Sequence, residues 1–295
     1  MSAFERLEPR ELQLPQGPIR YRELGTGEPM VLVHGLLTNS LLWADMACAL
    51  AKDFRVIAPD RPLGSHERPL DPAADLTPTG LADFLAALEL EHVTLVGNDA
   101  GGALCQLVAV HHSARLARLV LMPCDAYENL PPPVFRPLQL LARVPGAVWL
   151  IANALRPRLA QRLPMTFGWL SKRVLDPSVM QAFLRPALSD RRIRRELAAM
   201  LRAISNRYTL SAAERFDAFD KPVLVAWAPE DRLFPFGHGE RLTVAFPNAR
   251  LERIEDSYPF MSIDQPERSA GLIASFVRLA GASQPRPTVA DATRS

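Results

Sequence analysis

The apolar residues of this chain are concentrated in short continuous runs, separated by stretches with a helical period. Runs without a polar face are typical of parallel strands that helices cover on both sides. One helical stretch, 81–88, follows Thr77 and Pro78, which suit the cap and the first position of a helix. The pattern therefore predicts an α/β fold with a mostly parallel central sheet flanked by helices. The predicted strands are at residues 30–35, 54–60, 93–98, 116–123, 222–231 and 249–256.

The strand pattern stops between Asp125 and about residue 211, where the apolar positions have a helical period. We expect a helical cap at 126–212, inserted into a core formed by 1–125 and 213–280. The small and polar residues 281–295 predict a disordered tail. Prolines interrupt the cap, and each is expected to end or kink a helix: 131–133, Pro145, Pro157, Pro164, Pro177 and Pro186.

The charges are segregated along the chain, although the net charge is only +2. Residues 126–212 contain 14 Lys and Arg against 4 Asp and Glu, so this segment carries +10 and the remainder about −8. A basic cap can steer an anionic substrate to a cleft. The favoured interpretation is a solvated helix face, for example at 191–196, or contact with the acidic core. Nucleic-acid binding is not predicted, because the arginines are not interleaved with stacking aromatics.

The composition, 48% hydrophobic and 22% charged, is that of a globular protein with a full core. Cys48, Cys105 and Cys124 lie far apart, which predicts neither a disulfide framework nor a metal site, and no cofactor is predicted. The N-terminus lacks the apolar segment of a secretory signal. The longest apolar run, 144–155, is shorter than the roughly 20 residues of a membrane span. A cytoplasmic protein without a membrane span is expected, and its oligomeric state stays open.

The stretch VTLVGNDAGGAL, residues 93–104, takes an apolar strand through a tight turn into a helix. Gly97 and Gly101 allow close approach of strand and helix, so that Asp99 projects from the apex, as in a nucleophile elbow. The Ala100 N–H is expected to face the substrate and, with the Leu36 N–H after His34-Gly35, to form an oxyanion hole. The alternative is an Asp99 that only accepts hydrogen bonds from the turn.

Several motifs spread over residues 19–279 together resemble those of the α/β-hydrolase superfamily. An aspartate at the elbow is similar to the branch of haloalkane dehalogenases and epoxide hydrolases. The resemblance implies that Asp99 is a nucleophile that forms an alkyl-enzyme ester, that Asp231 is the supporting acid, and that the substrate is a small, fairly apolar molecule. The motifs are HGLLTNSLLW, APDRPLGS, LVGNDAGG and WAPEDRLFP.

The usual catalytic histidine is missing at the position that the resemblance gives it. The segment DSYPFMSIDQPE, residues 256–267, aligns with the family's histidine segment, and Pro259 stands at the histidine position. Hydrolysis of the ester needs a general base. His66 is the best replacement among the histidines, although a plain loop histidine is favoured, while Asp231 and Asp125 are carboxylate candidates.

The other histidines are weaker candidates for the base. His238 lies a few residues after Asp231, and His34 is expected to order its loop. Three more are expected at the surface, namely His92, His111 and His112.

The sequence disfavours some classes of substrate but does not identify the substrate. The resemblance places a halide-holding tryptophan after the nucleophile, where this chain has Ala100, and the residue after the His-Gly pair is Leu36, so dehalogenation is disfavoured. Tyr127 and Tyr208 are the cap tyrosines that could protonate an epoxide oxygen, but packing is the favoured role. Some apolar cap residues are expected to line the pocket or, more often at this spacing, to be core: Leu138, Leu140, Leu141, Trp149 and Leu150.

The sequence thus predicts an α/β-hydrolase-fold enzyme with Asp99 at the elbow and a non-standard or absent general base. Two alternatives stay open. One is a cofactor-free lyase or isomerase in which Asp99 acts as the base. The other is a catalytically silent member that binds a small molecule or a partner.

Overall fold

A central sheet of eight strands organises the computed structural model, which describes residues 2–70 and 78–282. The order is β1-β2-β4-β3-β5-β6-β7-β8, and the pairs from β4 to β8 are parallel. The α/β fold and all six predicted strands are confirmed. The strands are β1 (Arg10–Leu14), β2 (Gly17–Leu24), β3 (Pro29–Val33), β4 (Arg55–Pro59), β5 (Val93–Asp99), β6 (Leu116–Cys124), β7 (Val223–Trp227) and β8 (Ala249–Arg253).

The first two strands were not predicted from the sequence. β1 and β2 form an antiparallel pair at one end of the sheet, and β2 also pairs antiparallel with β4. Their side chains alternate, with Ile19 and Tyr21 buried while Arg20 and Arg22 are partly exposed. This half-buried pattern lacks the continuous apolar run that marked the other strands.

Helices lie between and after the strands, and α2 confirms the helix predicted at 81–88. The predicted cap residue Thr77 lies outside the described residues. The last helix continues to Ala282, so 281 and 282 are helical, and the rest of the predicted tail, 283–295, lies outside the described residues. The helices are α1 (Ala44–Leu50), α2 (Pro78–Ala87), α3 (Ala100–His111), α4 (Arg136–Leu141), α5 (Ala147–Ala154), α6 (Arg158–Gln161), α7 (Pro177–Ser189), α8 (Arg191–Ala203), α9 (Arg207–Ala213), α10 (Phe236–Ala245), α11 (Met261–Asp264) and α12 (Pro266–Ala282).

Between β6 and β7, residues 125–222 are all described and contain helices α4 to α9 but no strand. Most of the prolines there lie at or between helix ends, as expected. Pro186 is the exception, because α7 continues past it to Ser189, so of the two expected effects, ending or kinking the helix, it does not end the helix. Phe183 and Ala187 are fully buried beside it, and this packing offsets the missing backbone hydrogen bond.

The outer side of α4 and α5 is apolar and faces solvent. Leu140, Leu141, Trp149 and Leu150 are exposed, so the expectation that they belong to the core is wrong. Leu138 is partly buried. The inner side of the same helices supplies the packing instead: Ala142 and Val148 join a buried cluster with Leu63, Leu197, Met200 and Leu201.

The carboxyl ends of β3, β5, β6 and β7 lie at one edge of the sheet because these strands are parallel neighbours. Leu36, Asp99, Asp125 and Asp231 are each at or just after one of these ends. Ligand sites in open α/β sheets lie at this edge. The fold therefore brings the predicted site residues to the same edge. Among the described helices, none is both long and apolar enough to cross a membrane.

Candidate active site

Asp99 ends β5 and caps α3 in a backbone conformation that a residue other than glycine rarely adopts. Its φ is 55° and its ψ is −135°, a combination that is costly for a non-glycine residue and is held only where the surroundings enforce it. The glycines that follow make the turn possible. A Cβ on Gly101 would lie 2.3 Å from the Val33 carbonyl oxygen, and one on Gly102 would lie 2.3 Å from the Cys124 Cβ.

Gly35 makes room for the carboxyl group of Asp99. A Cβ at this position would lie 2.4 Å from both the Cβ and the Cγ of Asp99. The loop after β3 is therefore pressed against the elbow side chain. The sequence pattern His34-Gly35-Leu36 places a glycine where only a hydrogen fits.

The backbones of Ala100 and Leu36 both act on the carboxyl group of Asp99. The Ala100 N–H donates to Oδ1 of Asp99, and the backbone of Leu36 lowers the pKa of the same carboxyl group. These are the two residues that the sequence paired. The expected direction differs, because the Ala100 N–H points at Asp99 itself rather than at an open substrate position. The side chain of Asp99 thus occupies the Ala100 donor.

Burial raises the pKa of Asp99 to about 7, against the backbones of Ala100 and Leu36, which act in the opposite direction. The side chain is 9% exposed. A carboxyl group in this range changes its charge near neutral pH. Such a group suits either nucleophilic or acid–base chemistry.

Asp231 follows β7 and has one carboxylate oxygen without a partner. Its Oδ1 accepts hydrogen bonds from the N–H groups of Leu233, at 2.7 Å, and Phe234, at 2.9 Å. Its Oδ2 is buried and has no hydrogen-bond partner among the described residues, although the residue as a whole is partly exposed. Burial raises the pKa of Asp231 to about 8, and the charge of Asp99 adds to this rise.

Asp125 is a third carboxyl group at the same strand ends. It is 2% exposed, and its Oδ1 has no hydrogen-bond partner within 2–70 and 78–282. Burial, and then the charge of Asp99, raise the pKa of Asp125 well above its usual range. Asp99 thus interacts electrostatically with both other carboxyl groups, and the three resist full ionisation.

His34 has a structural position. Its Nε2 accepts a hydrogen bond from the Arg61 N–H at 2.8 Å, so its Nδ1 carries the proton and donates to the Gly35 carbonyl at 2.8 Å. Burial lowers the pKa of His34 to about 3. A neutral ring with both nitrogens occupied holds the Gly35 loop in place, as expected from the sequence.

His66, the preferred replacement base, is buried and pairs with another element. Its Nε2 lies 2.7 Å from Oε2 of Glu196 on α8, and its Nδ1 accepts from the Gly64 N–H at 3.4 Å. Both nitrogens are therefore occupied by groups other than Asp99. The geometry favours a tie between the core loop and α8 over a base at the elbow.

The remaining histidines lie elsewhere. His238 packs its ring 6.1 Å from that of Tyr127 and lies 3.6 Å from Glu128. His92 and His111 are exposed and His112 is partly exposed, close to the predicted surface positions.

Pro259 is buried in a loop that residues from distant parts of the chain hold in place. The Asn98 side chain donates to the Pro259 carbonyl at 2.9 Å, so this loop contacts the residue just before Asp99. The next N–H, from Phe260, donates to the Leu170 carbonyl at 2.8 Å. Pro259 therefore lies beside the elbow, without an ionisable group.

Asp264 is a buried carboxylate that the sequence pattern did not single out. It accepts hydrogen bonds from the Ser171 hydroxyl and from the N–H of Tyr258. It also accepts from the N–H groups of Lys172 and Arg173. Asp264 thus joins the Pro259 loop to the helical segment between β6 and β7. No local motif distinguishes it, because most of its partners are distant in sequence.

Tyr127 has a packing role, as favoured from the sequence, whereas Tyr208 lies at the surface. Tyr208 is 36% exposed, and its hydroxyl accepts from the Arg207 guanidinium at 2.7 Å. Tyr127 is largely buried under the Arg241 guanidinium, which lies 3.9 Å from the ring centroid.

Within the described ranges, no group of three or more His, Cys, Asp or Glu side chains is arranged to hold a metal ion.

A strand–elbow–helix turn with backbone donors behind it, set on a mostly parallel sheet, defines an α/β hydrolase. The chain belongs to the α/β hydrolase fold family, whose model matches residues 28–266.

Individual proteins are similar to the chain over most of its length, and a solved structure shares its fold. The chain is 29% identical to 2-hydroxymuconate semialdehyde hydrolase of Pseudomonas sp. (strain CF600), over 88% of this chain and 90% of that protein. It is 28% identical to haloalkane dehalogenase 2 of Mycobacterium bovis, over 90% and 93%. The solved structure of DbjA superposes with a TM-score of 0.75 at 19% identity, covering 94% of this chain and 100% of that one.

Proposed function

We propose that this protein is a hydrolase that acts on a small, fairly apolar molecule through Asp99 as the nucleophile, with a non-standard general base. One observation carries the proposal. The strained elbow holds the Asp99 carboxyl group against the Ala100 N–H, which donates to it, and beside the backbone of Leu36, which lowers its pKa.

This arrangement suits a nucleophile that becomes the electrophile of the second step. A carboxylate oxygen of Asp99 attacks carbon, and the leaving group departs with the bonding electron pair, which leaves an ester. Water then attacks the Cγ of that ester, and negative charge develops on the carbonyl oxygen of Asp99 itself. A donor that already contacts this carboxyl group is positioned to stabilise that charge.

Asp231 is the best-supported substitute base. Its Oδ2 has no partner in the described part of the chain, and the charge of Asp99 contributes to its raised pKa. Esterification removes that charge, so the pKa of Asp231 falls when a base is needed. The carboxylate can then take a proton from the attacking water. It returns that proton to the alkoxide oxygen that leaves Cγ, which releases an alcohol and regenerates Asp99.

The relatives support hydrolysis as the reaction class, since one is named as a hydrolase and another as a haloalkane dehalogenase. The proposed substrate class is broader than the substrates that these names indicate. Leu36 and Ala100 stand where the resemblance places halide-binding side chains, which disfavours a haloalkane.

A second candidate, cofactor-free proton transfer by Asp99, is favoured by one observation. The pKa of Asp99 is raised to about 7, where a carboxyl group both gives and takes protons effectively. Such a lyase or isomerase would exchange substrate hydrogen with deuterated solvent and would form no ester.

The test restores the missing base. Wild type, Pro259→His, Pro259→Ala and Asp99→Asn are incubated with epoxides, activated esters and haloalkanes, and product and intact protein mass are followed. We expect a persistent adduct and slow turnover in wild type, and at least about tenfold faster loss of the adduct in Pro259→His. Pro259→Ala controls for the loss of proline, and Asp99→Asn should form neither adduct nor product. Proteins without adduct or product throughout would contradict the proposal and favour a binding role.

The rate of adduct formation should rise with pH, because only the ionised form of Asp99 attacks carbon. The pKa of Asp99 is about 7, so the rate is expected to increase through neutral pH and to level off above about pH 8. Quenched-reaction mass spectrometry from about pH 5 to about pH 9 measures it. A rate that falls with rising pH in this range would instead indicate a protonated Asp99 as the active form.

A further inference from the structure

The helical segment between β6 and β7 has an unusual outer face, which we define as the exposed side chains of residues 140–165. Of the thirteen large apolar side chains that are exposed in the described part of the chain, eight lie in this stretch. Leu150 is 62% exposed and Leu159 is 78% exposed. Singly scattered apolar side chains are normal at a surface, but a concentration of this kind marks an interaction site.

The same stretch is strongly basic. Residues 140–165 contain four arginines and no Asp or Glu. The outer face therefore combines exposed aliphatic side chains with positive charges and no negative ones. Helices of this kind lie in the interface of a bilayer, where apolar side chains enter the acyl region and basic ones meet anionic headgroups.

An arginine-lined groove borders the outer face at Trp149. The groove has a volume of about 550 Å³, and its lining contains five arginines and no acidic residue. Two of them are held in place, since Arg194 donates to the carbonyl oxygens of Ala187 and Leu188, and Arg202 donates to that of Ala142. Their remaining N–H groups, with those of Arg143, Arg191 and Arg195, suit phosphate oxygens.

We propose that the outer face docks the protein on an anionic phospholipid surface. The charge pattern argues against a second copy of this chain, because two such faces would repel each other. The aliphatic side chains argue against a nucleic acid, which binds aromatic stacking surfaces.

Docking would place the lipid near the candidate active site. The inner side of the same helices packs in the cluster that contains Leu63, with Leu36 and Leu37 against it. An apolar molecule that leaves the bilayer would thus be close to the loop that supplies the Leu36 donor. The docking itself does not depend on the proposed catalytic role of Asp99.

Vesicle binding tests the proposal directly. The full chain is mixed with vesicles of phosphatidylcholine alone or mixed with phosphatidylglycerol, at low and high salt, and bound protein is separated by flotation. We expect binding to the anionic vesicles that weakens with salt, and at least about tenfold weaker partition to the neutral ones.

Two matched variants distinguish binding through the outer face from nonspecific binding to vesicles. Leu150→Glu with Leu159→Glu changes exposed positions only, so the fold is retained, and partition should fall at least about tenfold. Val244→Glu, at a position 88% exposed on α10, is the control and should bind as wild type does. Equal loss in both variants, or no binding to anionic vesicles at low salt, would overturn the proposal.

Trp149 provides a local readout. It is 44% exposed, whereas Trp43 and Trp227 are fully buried and Trp169 is partly buried against the core. Its emission should shift to the blue on anionic vesicles, and Trp149→Phe should remove the shift while flotation persists. If DNA or heparin binds as tightly as the vesicles and the emission stays unchanged with both, the face is a general polyanion surface and the proposal fails. A concentration-dependent dimer that covers Trp149 without lipid would also overturn it.

Discussion

At the scale of single residues, Asp99 combines three features that are each costly: a positive φ, a buried carboxyl group, and two further carboxyl groups nearby. Its position at the elbow could be predicted from the sequence, because the glycines that allow the turn are close to Asp99 in the chain. The direction of the Leu36 and Ala100 donors could not be predicted, since it depends on where the carboxyl group settles between two loops. The bare oxygens of Asp125 and Asp231 depend on burial in the same way.

The close contact at Gly35 predicts a severe effect of a single methyl group. Gly35→Ala would bring a Cβ within 2.4 Å of the Asp99 side chain. We therefore expect Asp99 to move or the protein to lose about 2 to 4 kcal/mol of stability. Denaturant unfolding and adduct formation measure both effects. Gly271→Ala in α12 is the control, because no atom lies within 4 Å of its Cβ, and it should be neutral or slightly stabilising. Equal behaviour of the two variants would contradict the described contact.

At the scale of elements, continuous apolar runs predicted the parallel strands correctly, while the alternating β1–β2 pair was missed. Connections between distant elements were also invisible in the sequence. His66 and Glu196 are 130 residues apart in the chain, yet their side chains meet at 2.7 Å. His66 thus joins the loop after β4 to α8. Helix α8 contributes Leu197, Met200 and Leu201 to the buried cluster of the helical segment.

Loss of this tie should weaken the attachment of α8. Glu196→Gln removes the charge opposite His66, and we expect about 1 to 3 kcal/mol of destabilisation, because the pair is largely buried. Urea unfolding with Glu214→Gln, at an exposed position on the same helical segment, as control measures it. A change no larger than that of Glu214→Gln would show that the pair contributes little.

At the scale of the whole molecule, the buried carboxyl groups make stability depend on pH. The pKa of Asp231 is about 8 in the folded state against an ordinary value of 3.8, so the folded protein binds more protons over this range. Its contribution to stability is fully present below about pH 4 and is lost as pH rises towards 8. Asp99 and Asp125 act in the same direction.

Replacing this group should reduce that pH dependence. Asp231→Asn cannot ionise and keeps an acceptor for the Leu233 and Phe234 N–H groups, so its stability relative to wild type should rise from about pH 4 to about pH 8, by about 1 to 3 kcal/mol. Thermal unfolding across this range measures it, with the exposed Asp217→Asn as control. A relative stability of Asp231→Asn that falls with rising pH would contradict the raised pKa.

The most direct test of the central claim is to locate the covalent adduct. Wild type and Asp99→Asn are incubated with a reactive epoxide or activated alkyl substrate and digested, and the peptide containing residues 93–104 is sequenced by mass spectrometry. We expect a substrate-derived mass on Asp99 in wild type and none on this peptide in the variant. Modification at another residue, or the same modification in Asp99→Asn, would contradict a nucleophilic Asp99.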